Sequence, residues 1–393
     1  MSASVMIPGL SILSLAGFAA IILAVAYVLE IARTLRHWNR LSECIVPSGF
    51  IATTRISVII PARNEAANIG ACLQSLLHQD YPPELMEVVV VDDFSSDDTP
   101  TLVRQLTDQR VRLLELRDFV PPDGLTAYKK KAIETGIASA SGTLIATTDA
   151  DCVLPPLWLK TLAFLHQEKQ VAFVAGPVSF FEEKNLLERF QSLDYLGMMV
   201  LTGAAIQRGQ PHLANGANLA YPKTVFDAVG GFSGTDHLAS GDDMLLLQKI
   251  TKQYAQNIYF AKSSKVLVLT HAKATLPEFL SQRLRWASKS AAFRNRGLLW
   301  TLGVVFGLCW AILLSALIAP FAGFKMLMLF GLLFLIKSAA DYALLSTACR
   351  YFGRPDLLRF FGPAQFLHIA YIAFIGLVSM FRKRYVWKGR PVQ

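Results

Sequence analysis

The chain has 393 residues, 53% of them hydrophobic but only 17% charged, and a formal net charge of +9. That charged share falls below the roughly 25% of soluble domains, and the length allows one α/β domain of ordinary size plus several membrane spans. The basic excess sits at the ends of apolar runs, where it sets topology and meets anionic lipid, and this argues against a nucleic-acid partner.

Leu10–Leu29 carries no charge over twenty residues, a helix of roughly 30 Å, enough to cross a bilayer. No basic residue precedes it, and Arg33, Arg36 and Arg40 follow. It therefore reads as a retained N-terminal anchor, residues 1–32, rather than a signal peptide. Its charges place the N-terminus outside and the next domain in the cytoplasm. Residues 33–54 read as a juxtamembrane linker, and residues 55–278 as a cytoplasmic domain.

Ile56–Ile60 is a β-branched run ended by Pro61, the pattern of a buried parallel strand. Ile69, Leu73, Leu76 and Leu77 have helical spacing within Asn68–Leu77. Val88–Val91 forms a second buried strand running into Asp92 and Asp93. Leu102, Val103 and Leu106 suit a helix, Arg112–Leu116 a third strand, Lys129–Ala140 a helix, and Leu144–Thr147 a fourth strand entering Asp149 and Asp151. This β-α-β-α order predicts a mostly parallel sheet with ligands at its strand ends. Pro61–Glu65, Asp92–Asp93 and Asp149–Asp151 would then share one rim. Neither GxGxxG nor GxxxxGK[ST] is present, so dinucleotide and P-loop phosphate cradles are missing.

Further along, Gln282-Arg283-Leu284-Arg285-Trp286 lies on a predicted interfacial helix, residues 279–296. Three apolar segments follow within residues 297–381: Gly297–Phe324, Met326–Cys349 (interrupted by Lys337 and Asp341) and Phe360–Phe381. A basic tail, residues 382–393, carries Arg382, Lys383, Arg384, Lys388 and Arg390. The uncharged run of the third segment is long enough for a full crossing, which is the expected course despite Pro363, Gln365 and His368; that crossing would export those charges against the positive-inside tendency, whereas an interfacial or re-entrant course would not. The five cysteines are scattered without metal-ligand spacing, as expected of reduced, packed thiols. His212, His237 and His271 also lack ligand spacing and read as polar or loop residues.

In Asp149-Ala150-Asp151, one carboxylate can accept from ribose or water while the other reaches Mg²⁺ or Mn²⁺. A metal on a diphosphate needs few protein ligands, because phosphate oxygens fill the remaining positions. Asp92 and Asp93 can accept a base N–H or cap a helix. Lys129, Lys130 and Lys131 crowd a helix start, an unfavourable place for cations, so at least one is expected to face a phosphate or the acidic rim. Gly241-Asp242-Asp243 precedes an apolar helix, where an Asp can cap or serve as general base. The turns at Gly216-Ala217-Asn218 and Gly230-Gly231-Phe232 can shape an acceptor channel. Gln282, Arg285 and Trp286 share one helical face, offering a phosphate-binding fork and a flat wall.

These segments, ISVIIPARNEAANI, VVVVDDFSSDDT, TTDADC, GDD and QRLRW in that order, resemble the membrane-associated glycosyltransferase family 2 over residues 55–296. These are inverting GT-A enzymes related to ceramide glucosyltransferase and to cellulose and hyaluronan synthases; YVWKGR in the tail resembles bacterial members. The resemblance implies a GT-A-type nucleotide-sugar-binding α/β domain flanked by transmembrane helices, in a bacterial inner membrane. It implies transfer of a sugar from UDP-sugar to a membrane lipid or lipid-linked hydroxyl, with a processive polysaccharide synthase or a non-enzymatic membrane receptor as alternatives. Pro61, Glu65, Asp92, Asp93, Lys130, Lys131 and Asp149 would hold the donor, and Asp151 the Mg²⁺ or Mn²⁺. Asp243 would be the base, beside Asp242 where members commonly have Glu. Asn218, Gln282, Arg285 and Trp286 would face acceptor and diphosphate.

Overall fold

The computed structural model describes residues 12–121, 126–287, 296–381, 385–387 and 390–392. The chain enters through helix α1 (Ile12–Arg40) and then builds β1 (Ile56–Ala62), α2 (Ile69–Leu77), β2 (Met86–Asp92), α3 (Thr99–Arg104), β3 (Val111–Glu115), α4 (Tyr128–Ser139) and β4 (Leu144–Thr147). The second half of the domain contributes α5 (Trp158–Lys169), β5 (Phe173–Ala175), β6 (Val178–Phe180), α6 (Leu186–Gln207), β7 (Leu219–Pro222) and α7 (Lys223–Ala228). It closes with α8 (Met244–Tyr254), β8 (Ile258–Phe260), β9 (Val268–Thr270) and α9 (Leu276–Ala287). Helices α10 (Arg296–Ala322), α11 (Phe324–Tyr351) and α12 (Phe361–Phe381) follow, then short strands β10 (Tyr385–Trp387) and β11 (Arg390–Val392).

The main sheet has the order β3-β2-β1-β4-β7-β5-β8. β1 pairs in parallel with β2 and β4, β2 with β3, and β5 with β8, while β7 runs antiparallel between β4 and β5. Every residue of β2 is buried, as a central strand covered on both faces requires. β6 and β9 form a separate parallel pair. The expected mostly parallel α/β sheet is therefore present, and β1, β2 and β4 end on the same rim.

The predicted linker 33–54 is corrected in its first part, because α1 continues to Arg40. Tyr27, Ile31, Thr34 and Trp38 are buried along one stripe, at the spacing of one helical face. The arginines that suggested the end of the span occupy other positions of the same helix. Trp38 packs edge-on to Phe260 of β8 and Tyr351 of α11, at 5.9 and 5.2 Å. Lys262 lies 4.6 Å over the Trp38 ring and donates to the Trp38 and Leu41 carbonyls, each at 2.8 Å. One lysine thus ties the end of α1 to the edge of the sheet.

Among the described residues, four helical segments are long and apolar enough to cross a membrane: Leu15–Arg40, Gly297–Ala322, Phe324–Tyr351 and Pro355–Phe381. The last packs against the α/β domain, as α1 and α11 also do through α6. Tyr371, midway along α12, meets Phe190 of α6 and Phe279 of α9, with ring centroids 5.8 and 5.5 Å apart. Beyond α12, β10 also lies against α9. Of the expected basic tail, 382–384, 388, 389 and 393 lie outside the described residues.

Candidate active site

The loops after β1 and β2 are stitched together. Asn64 donates its backbone N–H to Ser95 and accepts from the Ser96 N–H, while Glu65 N–H donates to Thr99 Oγ1. Ala66 N–H donates to Asp97, and Arg63 Nη1 donates to the carbonyls of Asp93 and Phe94, both at 2.8 Å. Asn64 and Phe94 each hold φ of 51°, a left-handed conformation uncommon away from glycine. The result is a double loop at the sheet rim that carries Glu65 and Asp93.

Next to it, α4 presents Lys129 to two carboxylates. Its Nζ lies 2.8 Å from Asp149 Oδ1 and 3.0 Å from Asp242 Oδ2. Burial pulls the lysine pKa down, but Asp149 and then Asp242 outweigh it and hold the ammonium above its ordinary range. Gly216 allows this approach: a Cβ there would stand 3.0 Å from Asp242 Oδ2 and 3.2 Å from Lys129 Nζ. Asp243 is the N-cap of α8, accepting from the Met244 N–H at 2.7 Å.

These groups line a cavity of about 700 Å³. Its lining includes Pro61, Glu65, Asp93, Asp149, Asp151, Asp242 and Asp243 from the sheet rim and α8, and Gln282, Arg285 and Trp286 from α9. Phe180, Tyr195, Met198 and Met199 add apolar surface, and Leu298 and Leu302 bring α10 to the rim. Cys72 and Cys152 lie beneath the Asp149–Asp151 loop, with Cys152 Sγ 3.8 Å from Asp151 Oδ1 and Cys72 Sγ 3.7 Å from the Asp149 carbonyl. Burial, and then Asp151, push both thiols up, which keeps them protonated and unreactive.

Four of the expected site residues do not line this cavity. Lys130 is buried and donates to the carbonyls of Thr235 and Leu238, at 2.7 and 2.9 Å. Lys131 pairs with Glu134 at 3.7 Å on the helix exterior. The cation at the rim is Lys129, because consecutive helical residues are turned apart and only one of three can face the strand ends. Asp92 is fully buried and accepts from the Ser95 N–H at 3.1 Å, shaping the loop that presents Asp93. Asn218 is 1% exposed: its Nδ2 donates to the Pro177 and Val266 carbonyls, and its Oδ1 accepts from Trp158 Nε1. It pins strands together, and Gly176 makes room for it, since a methyl there would lie 2.3 Å from the Asn218 amide. Sequence reasoning passed over Arg63 and Lys273 and read His271 as a polar or loop residue, yet all three line the cavity; isolated basic residues outside a motif carry little local signal.

Among the described residues, no three His, Cys, Asp or Glu side chains converge as a self-sufficient metal site. Carboxylates such as Asp151 on the cavity wall are hard oxygen donors. They suit Mg²⁺ or Mn²⁺ whose remaining ligands come from a diphosphate and water.

A parallel-rich sheet with acidic strand ends at a cavity of mixed polar and apolar lining is the architecture of a nucleotide-sugar-dependent transferase. The chain belongs to glycosyl transferase family 2: the profile described as Glycosyl transferase family 2 matches residues 57–230, and that of Glycosyl transferase family group 2 matches residues 144–342. It is 31% identical over 198 residues to Glycosyltransferase AglE of Haloferax volcanii, covering 50% of this chain and 61% of that protein. It is 29% identical over 189 residues to the beta-monoglucosyldiacylglycerol synthase of a Synechocystis species, covering 46% of this chain and 37% of that protein. The chain thus spans less than two thirds of the length of these relatives. The fold is similar to that of mannosyltransferase PcManGT from Pyrobaculum calidifontis, solved in complex with GDP-Man and Mn²⁺, with TM-score 0.63 and 22% identity over 93% of this chain and 99% of that one.

Proposed function

We propose that the chain is an inverting, membrane-anchored glycosyltransferase that moves a sugar from a UDP-sugar to a hydroxyl of a membrane lipid or lipid-linked acceptor. One observation carries this reading: a single cavity is lined both by the Asp149 and Asp151 carboxylates and by Leu298 and Leu302 of an apolar membrane helix. Such a cavity can hold a charged donor and an acyl-bearing acceptor at once. The relatives are consistent with it, since one is a glucosyldiacylglycerol synthase.

In this reading Glu65 and Asp93 receive the nucleoside, and Asp149, fixed by Lys129, orients the nucleotide. Asp151 would hold Mg²⁺ or Mn²⁺, which when bound supplies positive charge to the diphosphate. Asp243 takes the proton of the acceptor hydroxyl as its oxygen attacks the anomeric carbon from the face opposite the leaving group. The glycosidic bond to UDP breaks, UDP departs, and the configuration inverts. Arg285 stabilises the negative charge on the departing diphosphate. Asp242, shared with Lys129, sets the position of its neighbour and is not the proton acceptor.

Arg33, Arg36 and Arg40 support a cytoplasmic catalytic domain in a bacterial inner membrane. The contact of β10 with α9 supports a tail on that same face, with α12 following an interfacial or re-entrant course. Calorimetry of the detergent-solubilised full chain with UDP, with and without Mn²⁺, tests the donor side. Binding strengthened by Mn²⁺, and Asp151→Ala abolishing that gain, is the expected result. Binding of equal strength in both conditions would refute the metal-assisted donor site.

A further inference from the structure

We propose that Arg283, with Asp194, is a positioning residue that fixes the acceptor wall of the cavity and ties its alignment to charged groups inside the membrane bundle. The proposal rests on reading the Trp286 side of the cavity as the acceptor side. Arg283 and Leu284 are the members of QRLRW that do not line the cavity, and Arg283 is 3% exposed. Its guanidinium lies 4.6 Å over the Trp286 ring and 5.1 Å from that of Phe279. Trp286 stacks on Tyr195 with centroids 5.9 Å apart, and Tyr195 stacks on Phe180 at 4.7 Å. Phe180, Tyr195 and Trp286 all line the cavity. Arg283 therefore adjoins a run of stacked rings, Trp286, Tyr195 and Phe180, that lines the cavity.

A guanidinium buried this far needs a counter-charge. Asp194 of α6 supplies it, with Oδ2 2.8 Å from Arg283 Nη2. The contact is ionic rather than an aligned hydrogen bond. The other Asp194 oxygen faces His368 Nε2 of α12 at 4.0 Å, and His368 Nδ1 lies 3.0 Å from Lys337 Nζ of α11. An ammonium can only donate, so Nδ1 accepts and the neutral ring carries its proton on Nε2, towards Asp194. Lys337 pairs with Asp341 at 2.5 Å, and Asp341 also accepts from Gln365 at 2.6 Å and from Tyr27 of α1. One polar chain thus links α1, α11, α12, α6 and α9. Ionisable groups at such depth are costly and persist where they serve a function. Here they give the aromatic wall a fixed rotation relative to the bundle.

The test uses the full chain in lipid nanodiscs, labelled with 5-fluorotryptophan at its six tryptophans. Trp286→Phe assigns the Trp286 ¹⁹F resonance. Asp194→Asn, Arg283→Lys and Lys337→Met should each shift or broaden that resonance and leave the signals of Trp158 and Trp300 in place, with UDP affinity in Mn²⁺ within about twofold of the parent. Arg283→Lys, which keeps the charge but loses the plane, covers the case in which Asp194→Asn does not fold. An unmoved Trp286 resonance in folded Arg283→Lys, or movement of all six signals together, would overturn the positioning role. A response to Arg283→Lys but none to Lys337→Met would overturn the link to the bundle. The UDP titration in the same samples reports on the donor site independently, so failure here is separable from failure of the glycosyltransferase reading.

Discussion

Replacing Lys129 by methionine keeps the stem volume and removes the charge that joins Asp149 to Asp242. The two carboxylates that it held at 2.8 and 3.0 Å would then face each other across the cavity floor. Removing one partner of a buried ion pair costs about 3–5 kcal/mol. Here the Lys129 side chain is 21% and that of Asp149 34% exposed, so solvent screens part of the effect and about 2–3 kcal/mol is the working value. At about 2–4 °C per kcal/mol for a domain of this size, the apparent melting temperature should fall by about 4–12 °C. Mn²⁺ should recover more of that loss in Lys129→Met than it adds to the parent, because a divalent cation can take over the neutralising role. Thermal unfolding of the detergent-solubilised chain with and without Mn²⁺, alongside a UDP titration, makes the measurement. A folded Lys129→Met variant with parental melting temperature and parental UDP affinity would refute the bridge.

Three further expectations follow from the same geometry. Asp243→Asn should retain UDP binding and lose sugar transfer by roughly 10²–10⁴-fold, read as initial rates with a radiolabelled donor and membrane-extract lipids; near-normal transfer would remove Asp243 as the base. Gly216→Ala should push on both members of the Lys129–Asp242 pair, so UDP binding should weaken less than in Lys129→Met; an affinity loss greater than that of Lys129→Met would contradict the placement. His212 is 7% exposed, and burial holds its imidazole below the ordinary 6.5. Its neutral form therefore contributes stability that is present above pH 6.5 and lost as pH falls through that value towards the lower folded pKa. His212→Gln should flatten the decline in melting temperature between about pH 7 and 5, and identical slopes for variant and parent would dismiss the histidine as its source.

The strands were legible because their signal is local. Ile56–Ile60, Val88–Val91 and Leu144–Thr147 are short apolar runs stopped by Pro or Asp, and each occupies a strand of the central sheet. The acidic rim followed from them, since residues after parallel strands emerge on one edge. What stayed hidden depends on helix rotation and on loops that meet only in three dimensions. The run Lys129-Lys130-Lys131 signalled a cation near the rim but not which one, and the rotation of α4 selects Lys129. The Asn218 motif looked like acceptor chemistry, yet its amide is consumed by Pro177, Val266 and Trp158, partners 41 to 60 residues away. The end of α1 was misplaced because charge at Arg33 masked a buried stripe that continues to Trp38.

That stripe bears on how far the enzyme can reach. A flexible tether would let the catalytic domain rise and fall above the bilayer and meet hydroxyls at many heights. The Trp38–Lys262–Tyr351 clamp instead makes the first membrane helix a rigid strut under the sheet. Leu298 and Leu302, which line the cavity from α10, are thereby held in a fixed relation to that strut, against which α10 packs. Such a strut acts as a ruler. With a membrane-lipid acceptor as proposed, a free hydroxyl level with the site is expected to react, whereas the lengthened product would carry its new hydroxyls above it. Restriction to a single addition would then follow from elevation as much as from recognition of the sugar.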